Sequence, residues 1–170
     1  MAIVDGFMGA NIATKIVFFL ILLAVVVNWI AFCTTSWYVG EEYIGLWRTC
    51  RNKSCSVMND GNPDDDINAV QAFAIFGFMA LNVGFLLINL YMFSSSCKGN
   101  TEAGIGAAIT LFLSAACWLI AVAIFGAKQD DLPGRFGYSY ALAVCALILA
   151  LIGGFFMLIG GRGNIGVSLK

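Results

Sequence analysis

Four long stretches of this chain carry no charged side chain: Ile16 to Phe32, Ala69 to Phe93, Ala103 to Gly126 and Phe136 to Gly160. A helix rises about 1.5 Å per residue, so an uncharged run of about 17 to 25 residues crosses a hydrocarbon layer about 30 Å thick. Backbone amides find no water there, and a single segment satisfies them only as a helix. Polar or charged residues bound every run: Lys15 and Thr34-Thr35-Ser36, Asp64-Asp65-Asp66 and Ser94-Ser95-Ser96, Glu102 and Lys128, Arg135 and Arg162. The reading is one four-pass membrane domain over residues 1–170, with helices at about 16–33, 69–93, 103–126 and 136–160. Composition agrees. The chain is 61% hydrophobic and 11% charged, with mean hydropathy +0.89. A soluble domain is about 25% charged, and water penalises exposed apolar surface by roughly 25 cal/mol per Å².

Lys15 followed by an apolar run and Ala31-Phe32-Cys33 also loosely resembles a secretory signal with a small-residue cleavage site. A single positive charge before the run argues for a retained helix. Between the helices, the first loop spans about residues 34–68 and the loop at 127–135 is short. Basic residues do not orient the chain: these two loops carry five and the opposite side four.

Two features of the first loop do orient it. Cys50 and Cys55 are close enough to close a small ring in an oxidising compartment. Asn52-Lys53-Ser54, inside that ring, is an N-glycosylation sequon. Both place the loop outside the cell and both termini in the cytoplasm, at the plasma membrane. The remaining cysteines read differently. Cys33, Cys117 and Cys145 fall in or beside helices and are expected to be buried small hydrophobes. Cys97 follows the three serines at the cytoplasmic boundary, where it is either a palmitoylation site or an unmodified thiol.

The first loop reads Trp37, then Gly45-Leu46-Trp47, then Cys50 and Cys55. With four spans, this set resembles the claudin, peripheral myelin protein and epithelial membrane protein superfamily. Ala69-Val70-Gln71-Ala72-Phe73 and Phe136-Gly137-Tyr138-Ser139-Tyr140 are similar to its myelin and epithelial branch, and the cysteine spacing fits epithelial membrane proteins. The resemblance implies an all-α membrane protein: a left-handed four-transmembrane-helix bundle capped by a small extracellular antiparallel β-sheet from the first loop. Trp37-Tyr38-Val39 and Tyr43-Ile44 are strand formers with a turn at Gly40-Glu41-Glu42. The disulfide is expected to pin these two strands, with Trp37 and Trp47 at the outer headgroups. The chain ends in Lys170, which does not suit an apolar PDZ pocket, so no PDZ scaffold is expected.

Inside the membrane, small residues set helix contacts. Ala146, Ala150 and Gly154 form one ridge, and Gly104, Ala108, Ser114 and Ala115 line another helix. Asn28, Asn82 and Asn89 are expected to hydrogen-bond between helices rather than to line a pathway. Asp64, Asp65 and Asp66 make the loop acidic, which suits a solvated loop, a cation-favouring surface or, less well, calcium.

Catalysis finds no footing. There is no histidine, and no nucleophile elbow, phosphate loop, cofactor motif or metal-ligand spacing. No basic patch suits nucleic acid. The resemblance implies a non-enzymatic protein of cell–cell contact or junction organisation. It would act through lateral self-association, or association with related tetraspan proteins and membrane lipids, and through loop contacts. The alternatives are an auxiliary subunit of an ion channel or receptor and a regulator of membrane composition or trafficking.

Overall fold

The computed structural model describes residues 7–52, 54–58, 64–94, 96–129 and 134–161. Its four long helices are α1, Ile12–Cys33; α2, Asp65–Phe93; α3, Thr101–Gln129; and α4, Tyr138–Gly161. All four are long and apolar enough to cross a membrane. At 22, 29, 29 and 24 residues they run about 33 to 43 Å. The extra length over the sequence expectation lies at both ends of α3 and the beginnings of α1 and α2, where polar residues continue the helix beyond the apolar layer.

Local signals fix these ends. Asn11 caps α1, its Oδ1 accepting from the Thr14 N–H at 2.7 Å. Asp64 caps α2, accepting from the N–H groups of Asp66 at 3.1 Å and Ile67 at 3.4 Å. The Thr34 hydroxyl closes the last turn of α1 on the Ile30 carbonyl at 2.6 Å.

The helices form a ring in chain order: α1 packs on α2 and α4, and α3 on α2 and α4. In α1 the buried residues Thr14, Val17, Ile21, Ala24, Asn28 and Ala31 alternate at spacings of three and four, one stripe facing inward. The helix presumed removable in a secretory reading is thus a full member of the core. Small residues bring α4 close to its neighbours. Ala146, Ala150 and Gly154 are buried, Ile21 packs on Gly153, and Phe112 packs on Gly154. Gly104, Ala108, Ser114 and Ala115 are likewise buried in α3. The α1–α2 seam is aromatic instead: Phe18 meets Phe85 at 5.7 Å and Phe32 stacks on Phe78 at 4.4 Å.

Lipid-facing apolar residues surround this core, and two of the cysteines are among the exposed residues. Cys117 is buried, but Cys33 and Cys145 are exposed, against expectation. In a helix apolar on every side, hydrophobicity does not say which face meets protein. The asparagines also depart. Asn82 accepts from the Trp29 indole of α1 at 3.4 Å, an interhelical contact. Asn89 donates instead to its own helix at Phe85. Asn28 is fully buried, and its amide has no hydrogen-bond partner among the described residues.

One end of the bundle carries a sheet of β1, Tyr38–Val39; β2, Tyr43–Ile44; β3, Arg48–Arg51; β4, Ser54–Val57; and β5, Arg135–Phe136. Its order is β4-β3-β2-β1-β5, and all neighbouring strands pair antiparallel. Strands β1 and β2 sit where the sequence puts them. The fifth strand comes from the short loop before α4, so the sheet draws on both loops at this end.

Candidate functional site

The sheet is attached to the bundle by the tryptophans of the loop signature. Trp37 is 0% exposed. Its indole N–H donates to the Ala31 carbonyl of α1 at 2.8 Å. Its ring lies against Trp118 and Phe125 of α3 and Tyr140 of α4, at 6.1, 5.1 and 5.8 Å. Trp47 is half-buried, donates to the Phe32 carbonyl at 2.9 Å and touches the Phe32 ring. Trp37 is thus closed off from headgroups by the bundle, while Trp47 keeps part of its surface open at the bundle end; each indole N–H finds a backbone carbonyl of the last turns of α1 and needs no water.

Leu46 is buried, and its carbonyl accepts from the Gln71 side chain of α2 at 2.7 Å. Gly45 stands where a Cβ would come within 2.6 Å of the Thr35 Cα, so only glycine lets the strand lie on the chain leaving α1. The signature thus bonds to α1 and α2 and packs its aromatic ring on α3 and α4.

The disulfide between Cys50 and Cys55 joins β3 to β4, which pair in register. It does not join β1 to β2, which pair with each other and are held by Trp37, by β5 beside β1 and by β3 beside β2. Asn52 follows β3 with φ 47°, a left-handed conformation that asparagine tolerates, and is exposed. Lys53 of the sequon lies outside the described residues.

The acidic triplet separates. Asp65 opens α2 and is exposed. Asp64 and Asp66 pair with Lys128 near the end of α3, Asp66 at 3.5 Å. The Lys128 ammonium, hydrogen-bonded to Asp64, holds that carboxyl below its ordinary value of 3.8. Cys97 is half-buried in the α2–α3 turn, at the end opposite the sheet.

What the sheet leaves outward is its far side. All of β4 is exposed, Val57 65%. Tyr43 and Phe136 are exposed by 51% and 46%. Arg51 bridges Glu41 at 3.7 Å and Glu42 at 3.2 Å across the surface.

The profile described as the PMP-22/EMP/MP20/Claudin family matches residues 8–157. The chain belongs to this family. Epithelial membrane protein 2 of Homo sapiens is 29% identical over 145 residues, covering 76% of this chain and 85% of that protein. Epithelial membrane protein 1 of Homo sapiens is 28% identical over 163 residues, covering 94% and 98%. The Rattus norvegicus epithelial membrane protein 1 is 27% identical over 169 residues, with the same coverage.

In this member of the PMP-22/EMP/MP20/Claudin family, several structural partners escaped sequence reading. Gly137 is one: a Cβ there would collide with the Ser36 carbonyl oxygen. Its N–H donates to the Trp37 carbonyl at 2.9 Å, and the Ser139 hydroxyl meets the Thr34 hydroxyl at 2.6 Å. A glycine between an aromatic strand former and a helix start was the available signal. Gln71 was visible only as part of a family-like stretch and Lys128 only as a helix boundary, and neither signalled its partner, which is remote in sequence.

Proposed function

We propose that this four-pass membrane protein organises cell–cell contacts at the plasma membrane. The sheet faces outward and both termini face the cytoplasm. What carries the reading is the division of labour in the sheet. The signature residues Trp37, Gly45, Leu46 and Trp47 are spent on anchoring it, while β4, Tyr43 and Phe136 present a firm outer surface. A surface rooted this way holds its shape against a neighbouring membrane at little ordering cost. The Cys50–Cys55 disulfide and the sequon at Asn52 favour the outward orientation, and Asn52 is read as glycosylated. Cys97 is read as a palmitoylation site at the cytoplasmic end. The protein acts without catalysis, through lateral association with its own copies or related tetraspan proteins and with lipids.

Expression in cells without junctions tests this. Enrichment at borders between expressing cells, with changed adhesion or paracellular conductance, is expected. Uniform surface distribution with neither change contradicts it.

A second reading, an auxiliary subunit of an ion channel or receptor, is favoured by one observation. Trp29 is half-exposed and hydrogen-bonded to Asn82 on the lipid-facing side of the α1–α2 seam, a polar foothold for another helix. Purification from native tissue in mild detergent separates the two: a stoichiometric channel partner favours the second, self-association alone the first.

A further inference from the structure

At the end of the bundle opposite the sheet, a cavity of about 210 Å³ lies between the chain entering α1, the α2–α3 turn and the end of α4. A single water needs only about 10–15 Å³. Asn11, Thr14, Tyr91, Lys98, Gly99 and Gly160 line it, and among the described residues no carboxylate does.

Its polar groups are donors. Lys98 has no ion-pair partner among the described residues. Tyr91 is 9% exposed and lines the cavity, and its hydroxyl has no hydrogen-bond partner among the described residues. The hydroxyl is therefore free to donate to a ligand acceptor that enters the cavity. The Asn11 Oδ1 is already taken by the N–H and hydroxyl of Thr14, both at 2.7 Å, which leaves the Asn11 amide nitrogen as a donor on the same wall. One cation and two neutral donors facing a cavity of this size suit a multiply accepting anion. The cavity also lies where α1 leaves the apolar layer, at headgroup depth.

We propose that this cavity binds the phosphate of an anionic lipid headgroup, with Lys98 as counter-charge and Tyr91 and Asn11 as hydrogen-bond donors. Placing that lipid in the cytoplasmic leaflet rests on the orientation proposed above; the phosphate chemistry does not.

The test uses the full chain in uncharged detergent, titrated with dioctanoyl phosphatidic acid, dioctanoyl phosphatidylcholine or inorganic phosphate, with bound ligand counted by native mass spectrometry. Saturable one-to-one binding of phosphatidic acid is expected. Lys98→Gln should weaken it about tenfold, the loss of one charge-assisted contact, and Lys98→Arg should restore it. Tyr91→Phe should weaken it without lowering thermal stability. Displacement of the lipid by inorganic phosphate at the lipid's own concentration would overturn the lipid source in favour of free phosphate. Equal binding of phosphatidylcholine, or binding untouched by Lys98→Gln, would overturn the proposal outright. Detergent removes sidedness, so such a failure stays separate from a failure of orientation, which surface labelling reads.

Discussion

Trp37 at the start of the first loop lies close to parallel with Trp118 of α3, their ring centroids 6.1 Å apart and their planes inclined by 22°. A residue between a helix and a two-residue strand is thereby packed into the bundle, and the sheet follows it. Strands this short are marginal alone, so their order depends on what they are fastened to.

Substitution at Trp37 should separate its two contributions. Trp37→Phe keeps a ring and loses the hydrogen bond to Ala31, which should cost about 1 kcal/mol. Trp37→Ala leaves a cavity and should cost about 3–5 kcal/mol. Unfolding in detergent, followed by far-ultraviolet circular dichroism, gives the ranking. Equal and small losses would mean that Trp37 is not an anchor.

Two glycines should resist the smallest enlargement. At Gly45 a Cβ would sit 2.6 Å from the Thr35 Cα, and at Gly137 it would strike the Ser36 backbone. Gly45→Ala and Gly137→Ala should each lose about 1–3 kcal/mol and reach the cell surface poorly. Gly106→Ala, whose new atom would lie 3.7 Å from its nearest neighbour, should stay within about 0.5 kcal/mol. Melting temperature and surface biotinylation read both quantities.

Opening the disulfide should loosen one edge only. Closing so short a loop contributes about 2 kcal/mol in the chain-entropy account. Replacing Cys50 and Cys55 by serine should speed amide hydrogen exchange in β3 and β4. Exchange in α1 to α4 should remain unchanged. Faster exchange throughout the helices would show that the bundle depends on the disulfide.

Acid should weaken the junction between α2 and α3. Because Lys128 lowers the folded-state value of Asp64, the carboxylate's contribution is fully present above its unfolded value of 3.8. It is lost as pH falls below that, through the folded value. Thermal stability should therefore hold constant from neutral pH down to about 4 and then fall. Lys128→Gln should flatten part of that fall. The same acid profile in wild type and variant would exclude the pair as its source.

The helices were legible because a run without charge leaves a bilayer-crossing segment few options. Strands β1 and β2 were legible from aromatic and branched residues flanking Gly40. The facing of the helices was not. Cys33 and Cys145 point outward while Cys117 points inward, and nothing in an evenly apolar helix distinguishes them, because lipid is as apolar as the core. Trp37, fully enclosed, misled for a related reason. An indole suits a headgroup or a free carbonyl at a helix end equally well, and only the fold decides. Strand β5 was hidden by its length, since Arg135 and Phe136 acquire strand character only from pairing with β1. The pairing of Asp64 with Lys128 is a tertiary fact no local pattern encodes.

Both loops at the sheet end build one platform, and Val39 and Arg135 stand opposite each other within it. The decisive measurement is crosslinking of the double variant Val39→Cys, Arg135→Cys in protein labelled on intact cells by a membrane-impermeant reagent. A spontaneous disulfide between the two new cysteines, in chains that carry the surface label, is the predicted result. Surface-labelled chains with both new thiols free would contradict a sheet shared by the two loops, and crosslinked chains that take no label would contradict its outward face.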